Sequence, residues 1–397
     1  MLREQNSATK SYLENLAQSF LTVFVYFLIS LVTVLNLISI QPALGGLLDF
    51  GSFISAGKAA QEGKNPYTTD SPLVFQVESQ NTDQTLSSPN LNPPVSIIFF
   101  RPLADIDPSK AVSAWRVISA VMFVAGVFIL ARSYPKFTNP IRILWAFNLA
   151  GFWNTIALGQ IYAPVFLLAI GVWIFTEKGY SKLAGIMLGI IIAIKPNFIF
   201  WLLLLGFAGQ ITTIFSAAAT VLLLSLWPVA LFGPQIYQQW LTALSNYPSI
   251  GLLIAGNSSL QSLSARFGSA IPGIVMSVFL FGVSLYLARR NKYSPTKINT
   301  LGIAGSLLIS PFSWAGYTIL TLPILFSKSR WNWLHLLAAV ILAFPYLLIL
   351  YLFQKSLFNS VLFGWLYGWG LLLMLVESII NQDEDKSGLQ RVIGHEK

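Results

Sequence analysis

The chain has 397 residues, of which 55% are hydrophobic and only 10% charged, with a mean hydropathy of +0.67. A soluble domain carries about 25% charged residues, so a soluble enzyme is excluded and a polytopic membrane protein is expected. The net charge of +9 is spread over short segments between apolar runs, which is a topological bias and not a nucleic-acid-binding face. Cysteine is absent and only His335 and His395 are histidines, which excludes disulfides, thiolate nucleophiles and a histidine metal centre.

Residues 1–19 are polar and mixed in charge. The first apolar run, about 20–40, is too long for a signal core and lacks a small-residue cleavage site, so it is expected to remain as a span. Pro42 and Gly45-Gly46 end it. A polar loop over 41–109 follows. It holds seven of the 15 acidic residues: Asp49, Glu62, Asp70, Glu78, Asp83, Asp105 and Asp107. Residues 50–62 carry Phe53, Ala56 and Ala60 at helical spacing, with Gly63 as the C-cap, and read as a helix lying along the interface. Residues 64–92, rich in Asn, Ser, Thr, Asp and Pro, read as irregular. Asn92-Pro93-Pro94 to Arg101-Pro102 encloses an apolar stretch too short to span, hence re-entrant or interfacial.

Further spans are predicted at about 111–131, 140–158, 161–176, 211–232, 271–288, 331–352 and 357–380. Two apolar regions are interrupted, 182–208 by Lys195-Pro196 and 299–327 by Pro311 and Gly316. Each reads as a broken or half-length pair, which membranes tolerate only where the backbone is buried in protein or lines a cavity. With the N-terminus inside, two thirds of the 24 basic residues fall in inner segments, including Arg132, Lys136, Arg142, Lys178, Lys182, Lys297 and Lys328. The loop 41–109, the Gly159-Gln160 turn and the loop 233–270 then face outward, and the tail 381–397 faces the cytoplasm. The expectation is an all-α polytopic membrane protein: one integral domain over 1–397, about ten to twelve transmembrane or broken helices, and a large outer loop carrying interfacial helices.

Three positions carry the chemistry. Asp49 heads the outer loop beside the membrane. A random loop carboxylate is usually a solvated acid, but partial desolvation there makes a better general base. Glu62, Asp70, Glu78 and Asp83 read as solvated acids, and Asp105 and Asp107 as cap or turn residues. Lys195 lies within apolar sequence. An ammonium at that depth is costly and marks a functional site by default, the alternative being a snorkelling lysine; an anionic phosphate is its natural partner. Arg266, preceded by Asn257-Ser258-Ser259-Leu260-Gln261, offers a guanidinium, amides and hydroxyls suited to sugar and phosphate oxygens, or else a capping segment. Arg101 and Arg116 are weaker candidates, and Asn65-Pro66-Tyr67 reads equally as a turn. No GxGxxG, P-loop or Ser-His-Asp pattern is present, so a transferase here would draw its donor from the membrane.

These pieces occur in an order that resembles glycosyltransferase family 87, the polyprenol-phosphate-mannose-dependent mannosyltransferases of the C-type (GT-C) membrane superfamily. The matching pieces are Asp49-Phe-Gly-Ser-Phe53, Gly63-Lys-Asn65-Pro66-Tyr67, Asn92-Pro93-Pro94, Arg101-Pro102 with Trp115, and Gly159-Gln160. Ala184-Gly185 to Gly189, Lys195-Pro196, Asn257-Ser258 to Arg266, and Ser310-Pro311 to Trp314 follow. The resemblance covers about 45–325. It departs after Trp314, where many relatives carry histidine and this chain has Ala315-Gly316-Tyr317.

The resemblance implies a GT-C-like bundle in the cell membrane with its active site outside. It implies transfer of a hexose, mannose by analogy, from a polyprenyl-phosphate donor to a lipid or glycan hydroxyl, with inversion. Asp49 would be the base. Lys195, Arg266, Asn257, Ser258, Gln160, Arg101 and Tyr67 would bind donor phosphate or sugar, with neither metal nor cofactor. A flippase or transporter of lipid-linked sugars is the alternative, since broken helices with a buried lysine occur there too. A non-catalytic relative is another.

Overall fold

The structure is a computed structural model that describes residues 2–78, 85–247, 249–291 and 293–380. The expected cytoplasmic tail and the loop acid Asp83 lie outside the described residues. Among the described residues, nineteen α-helices are joined by short turns and 3-10 segments, with one small β-hairpin. Helix α1 (Leu2–Leu44) runs through Pro42, and α2 (Leu48–Gln61) follows after Gly45-Gly46. The hairpin pairs β1 (Phe75–Glu78) with β2 (Thr85–Ser88), antiparallel, Phe75 opposite Ser88. Next come α3 (Val95–Phe100), α4 (Pro108–Ser133), α5 (Pro140–Ala146) and α6 (Ala150–Leu158). The centre of the chain forms α7 (Tyr162–Glu177), α8 (Ser181–Ile194), α9 (Ile199–Phe207) and α10 (Ile211–Phe232). Two short helices, α11 (Gln235–Ser245) and α12 (Leu260–Ala265), lead into α13 (Ile271–Asn291) and α14 (Pro295–Ile309). Last are α15 (Leu322–Phe326), α16 (Trp333–Leu342), α17 (Tyr346–Leu352), α18 (Leu357–Leu362) and α19 (Leu366–Ile380).

Among the described residues, four helical segments, carried by α1, α4, α10 and α13, are long and apolar enough to cross a membrane. The pair α16–α17, bent by 82°, makes a fifth if counted as one span. Their outward faces expose large apolar side chains such as Phe27, Val117, Phe215 and Phe279. A bilayer solvates such faces and water does not. Inside them, α7, α9, α14 and α19 carry the core, where Trp173, Trp201, Trp365 and Phe166 are fully buried. Helices α8 and α10 touch through Gly185 and Gly189. A Cβ on either would sit 2.5 Å from the Thr213 carbonyl oxygen or 2.7 Å from that of Ala217. Small residues four apart let two backbones approach, which is how helices associate without a hydrophobic driving force.

The breaks expected at Lys195-Pro196 and at Pro311 are present. Three expected single spans are broken as well. Within 140–158, Asn148 ends α5: Thr33 of α1 donates to its Oδ1 at 2.9 Å and Asn36 to its backbone carbonyl at 3.4 Å. Within 331–352, Pro345 cannot continue α16 and disfavours helix at Phe344. Within 357–380, the Gly364 carbonyl turns outward to accept from the Gly256 N–H and from Arg266. The expectation that 64–92 is irregular is also corrected, since Phe75–Glu78 and Thr85–Ser88 pair as two antiparallel strands. Helix α2 is more enclosed than an interfacial helix needs to be, with ten of its 14 residues buried.

The two long loops pack on each other at one end of the bundle. Ile236 of α11 shares a buried cluster with Ala56, Ala60, Tyr67 and Ile97, and the Trp240 indole donates to the Leu91 carbonyl at 3.0 Å. At the opposite end, Glu177 of α7 accepts from the Tyr134 hydroxyl of α4 and from Thr296 Oγ1 of α14 at 2.7 Å. Glu377 lies there too, 3.5 Å from Lys328 Nζ and 3.2 Å from His335 Nε2.

Candidate active site

Asp49 sits in the first turn of α2, where the unpaired N–H groups of the helix end favour a negative charge. The residue before it, Leu48, has φ of 46°, a left-handed conformation that is strained for a leucine. Asp49 accepts a hydrogen bond from Gln160 Nε2. Gln160 lies in the turn between α6 and α7, just after Gly159, whose φ is 66°. Glycine is required there twice over. A side chain would resist that φ, and a Cβ would come within 2.7 Å of Phe50 Cβ. The close approach of Gly159 to Phe50 is what brings Gln160 to Asp49.

Opposite this pair is Lys195. The helix α8 ends at Ile194 because Pro196 has no N–H to give. Lys195 is buried, and its Nζ lies 5.1 Å from the Tyr162 ring centroid and 5.6 Å from that of Tyr317. The charges of Lys195 and Asp49 act on each other. Asp49 also acts electrostatically on Tyr162, Tyr247 and Tyr346. Asp49 and Tyr346 are each half-buried. Asn197, following Lys195-Pro196, donates through Nδ2 to the Phe312 carbonyl at 3.1 Å, which ties the break in α8 to the break after α14. The half-buried Phe312 and Trp314 rings are near parallel at 5.9 Å, and Tyr247 meets Phe312 edge-on at 5.4 Å. Asn154 Oδ1, near Gly316 and thus beside Tyr162, is buried without a hydrogen-bond partner among the described residues. Among them, no three His, Asp or Glu side chains are grouped so as to hold a metal ion.

The structure brings Asp49, Gln160 and Lys195 together. It commits the other expected binders elsewhere. Arg266 donates to the carbonyls of Leu253, Ile254 and Gly364 and to the Ser360 and Ser262 hydroxyls, at 3.1–3.4 Å. Burial pulls its pKa down to about 10, so it remains a cation at neutral pH. Asn257 donates to the Pro311 carbonyl at 3.1 Å and its Oδ1 accepts from the N–H groups of Ser259 and Ser313. The Ser258 N–H donates to the Ser313 carbonyl at 2.7 Å. This segment therefore clamps the backbone of Pro311–Ser313. The Tyr67 hydroxyl donates to the Asn92 carbonyl at 3.2 Å, and burial pushes its pKa above the usual phenol range. Arg101, half-buried, lies 5.7 Å from the Phe232 ring centroid. Its backbone packs against Gly57, eight residues and so roughly 12 Å along α2 from Asp49.

Asp107 caps α4 through the Lys110 N–H, and Glu62 forms an exposed pair with Lys64, both as their sequence contexts suggest.

A family model for Glycosyltransferase family 87 matches residues 90–311, more than half of the chain. The chain belongs to glycosyltransferase family 87. The matched region of this family 87 member includes Gln160, Lys195, Asn257 and Arg266, and begins after Asp49. No curated protein and no solved structure gives a significant match. Membership makes the chain a membrane glycosyltransferase, acting on lipid or glycan substrates.

Proposed function

We propose that this protein moves a hexose, mannose by family analogy, from a polyprenyl-phosphate donor to an acceptor hydroxyl, with inversion at the anomeric carbon. The observation that carries the reading is the Asp49–Gln160 hydrogen bond beside the buried Lys195, whose charge acts on Asp49. Asp49 removes the acceptor proton as the acceptor oxygen attacks the anomeric carbon. The bond from that carbon to the phosphate oxygen breaks, and the polyprenyl phosphate leaves with the electron pair. One base suffices for such a direct displacement. Lys195 supplies the positive charge that meets the departing phosphate, an interaction that strengthens as charge develops. Gln160 orients Asp49. We assign Asn257 and Ser258 to fixing the Pro311–Ser313 backbone and Arg266 to joining the 253–254 and 360–364 segments, with Tyr67 and Arg101 holding the loop 41–109.

The site end of the bundle is assigned to the extracytoplasmic side of a cell membrane. The support is that Arg132, Lys136, Lys178 and Lys182 adjoin the opposite ends of α4, α7 and α8. The test is transfer of radiolabelled mannose from polyprenyl-phosphate-mannose by purified protein to a membrane lipid and glycan extract, with Asp49→Asn as the control. Transfer in the wild type and none in the variant supports the reading. No transfer by the wild type, or equal transfer by both, removes it.

A further inference from the structure

Two helix ends meet at one guanidinium. Arg116 of α4 is buried and donates to five backbone carbonyls. Three belong to the end of α1 and the turn after it: Ala43 at 3.1 Å, Leu44 at 2.8 Å and Gly46 at 3.0 Å. Two belong to the last turn of α6: Ile156 and Ala157, both at 3.0 Å. Carbonyls at helix C-termini have no partner within the helix and carry partial negative charge. Two such ends brought together repel unless a cation lies between them. Arginine, with five N–H donors on a rigid plane, can serve both ends at once.

The placement of these carbonyls gives the contact its meaning. Gly46 stands three residues before Asp49, and Ala157 three before Gln160. One side chain therefore fixes the chain just upstream of both members of the Asp49–Gln160 pair. The adjacent Trp115 adds to this. Its indole donates to the Gln160 carbonyl at 3.4 Å, and its ring stacks on Phe50, next to Asp49, at 6.2 Å. Leu48, left-handed at φ 46°, lies within the same tethered turn. Such strain persists only where the surroundings over-determine it, and three of the Arg116 bonds restrain the residues directly before it.

We propose that Arg116 is a positioning residue: by tying the C-terminal ends of α1 and α6 together it sets the Asp49–Gln160 pair and so aims the Asp49 carboxylate. The proposal rests on Asp49 as the base. Arg116 touches no substrate; it acts through the two residues whose backbone it holds. A displacement of about 1 Å at a reacting group lowers turnover by roughly 10²-fold.

The test compares Arg116→Gln, Arg116→Lys and a control, Arg142→Gln. The control removes a different arginine clamp, on the Lys328 and Ser329 carbonyls at the other end of the bundle. Each purified variant is followed by thermal melting and by turnover of polyprenyl-phosphate-mannose. Each is also labelled with dicyclohexylcarbodiimide, a hydrophobic reagent for carboxyls in apolar sites, read at Asp49 by peptide mass spectrometry. Arg116→Gln is expected to lower kcat by roughly 10²-fold with KM for the donor within about threefold. Released from Gln160, Asp49 should label at least about threefold more in that variant. Arg116→Lys keeps the charge but not the fork, and should recover part of both readouts. Arg142→Gln should lower the melting temperature while turnover per folded molecule and Asp49 labelling stay at wild-type levels. Wild-type labelling in Arg116→Gln, or equal losses in Arg116→Gln and Arg142→Gln, overturns the proposal. If Arg116→Gln does not fold, Arg116→Lys carries the same comparison. If the wild type does not turn over this donor, the functional reading falls, and Asp49 labelling alone decides on Arg116.

Discussion

Gln160 donates a hydrogen bond to Asp49 across 111 positions of sequence, from the turn that opens α7 to the first turn of α2. The pair joins the head of the loop 41–109 to the helical bundle. It makes the carboxylate part of a rigid frame, although the residue itself lies near a loop.

Asp49→Asn keeps the size and the partner but cannot take a proton. Transfer should fall by roughly 10²-fold or more, with expression and donor binding retained. Gln160→Leu removes the partner and leaves the base, so kcat should fall less, by roughly tenfold. Steady-state rates on the purified variants check both. Near wild-type turnover in Asp49→Asn would move the base to another carboxylate.

Lys195→Met removes the cation and keeps much of the stem. Binding of a polyprenyl-phosphate donor should weaken by about 1.5–3 kcal/mol, the range for charge-assisted hydrogen bonds, or roughly 10- to 150-fold. Lys195→Arg should rescue in part, because a planar fork does not replace a point charge between two tyrosine rings. Donor affinity on folded protein decides. Wild-type affinity in the methionine variant would make Lys195 structural.

Gly159→Ala introduces a Cβ against Phe50 and strains a left-handed position. A stability loss of about 1–3 kcal/mol is expected, with turnover falling further than stability alone explains because Gln160 moves with it. Thermal melting beside turnover per folded molecule separates the two effects.

Sidedness can be read because the chain has no native cysteine. Thr69→Cys places a thiol on an exposed position of the outer loop, and Lys178→Cys places one at the opposite end. An impermeant maleimide applied to intact cells should modify the first and spare the second. The reverse pattern would put the site on the cytoplasmic side and exclude the proposed placement.

Much of this was legible before folding. Lys195-Pro196 announces its own break, because a charge and a missing N–H in apolar sequence leave few other structures. Asp49 stands out by its place. The break at Asn148 was hidden, because its cause is contact with Thr33 and Asn36 of another helix. Arg116 reads in sequence as a cation near the start of a span. Its five carbonyl partners come from two chain segments that only the tertiary fold brings together. Arg266 reads in sequence as a guanidinium among serines and amides, and its partners in space, three carbonyls and the Ser262 and Ser360 hydroxyls, include groups from the distant 360–364 segment that no local pattern announces. Glu177 and Glu377 carry no local pattern at all, and their partners lie on other helices.

The cover over Asp49 has a consequence for access. Ser52 of α2 donates to the Ser88 carbonyl at 2.6 Å and accepts from the Phe75 N–H at 3.0 Å, so the hairpin is buttoned to α2 beside Asp49. Tyr247 bonds to Ser88 from the other long loop, and Trp240 bonds to Leu91. Descent from the aqueous phase would have to undo several of these fastenings at once. On the proposed reading the donor's lipid tail stays among the acyl chains, so the donor need not take that path. On this view the lid need not open at each cycle.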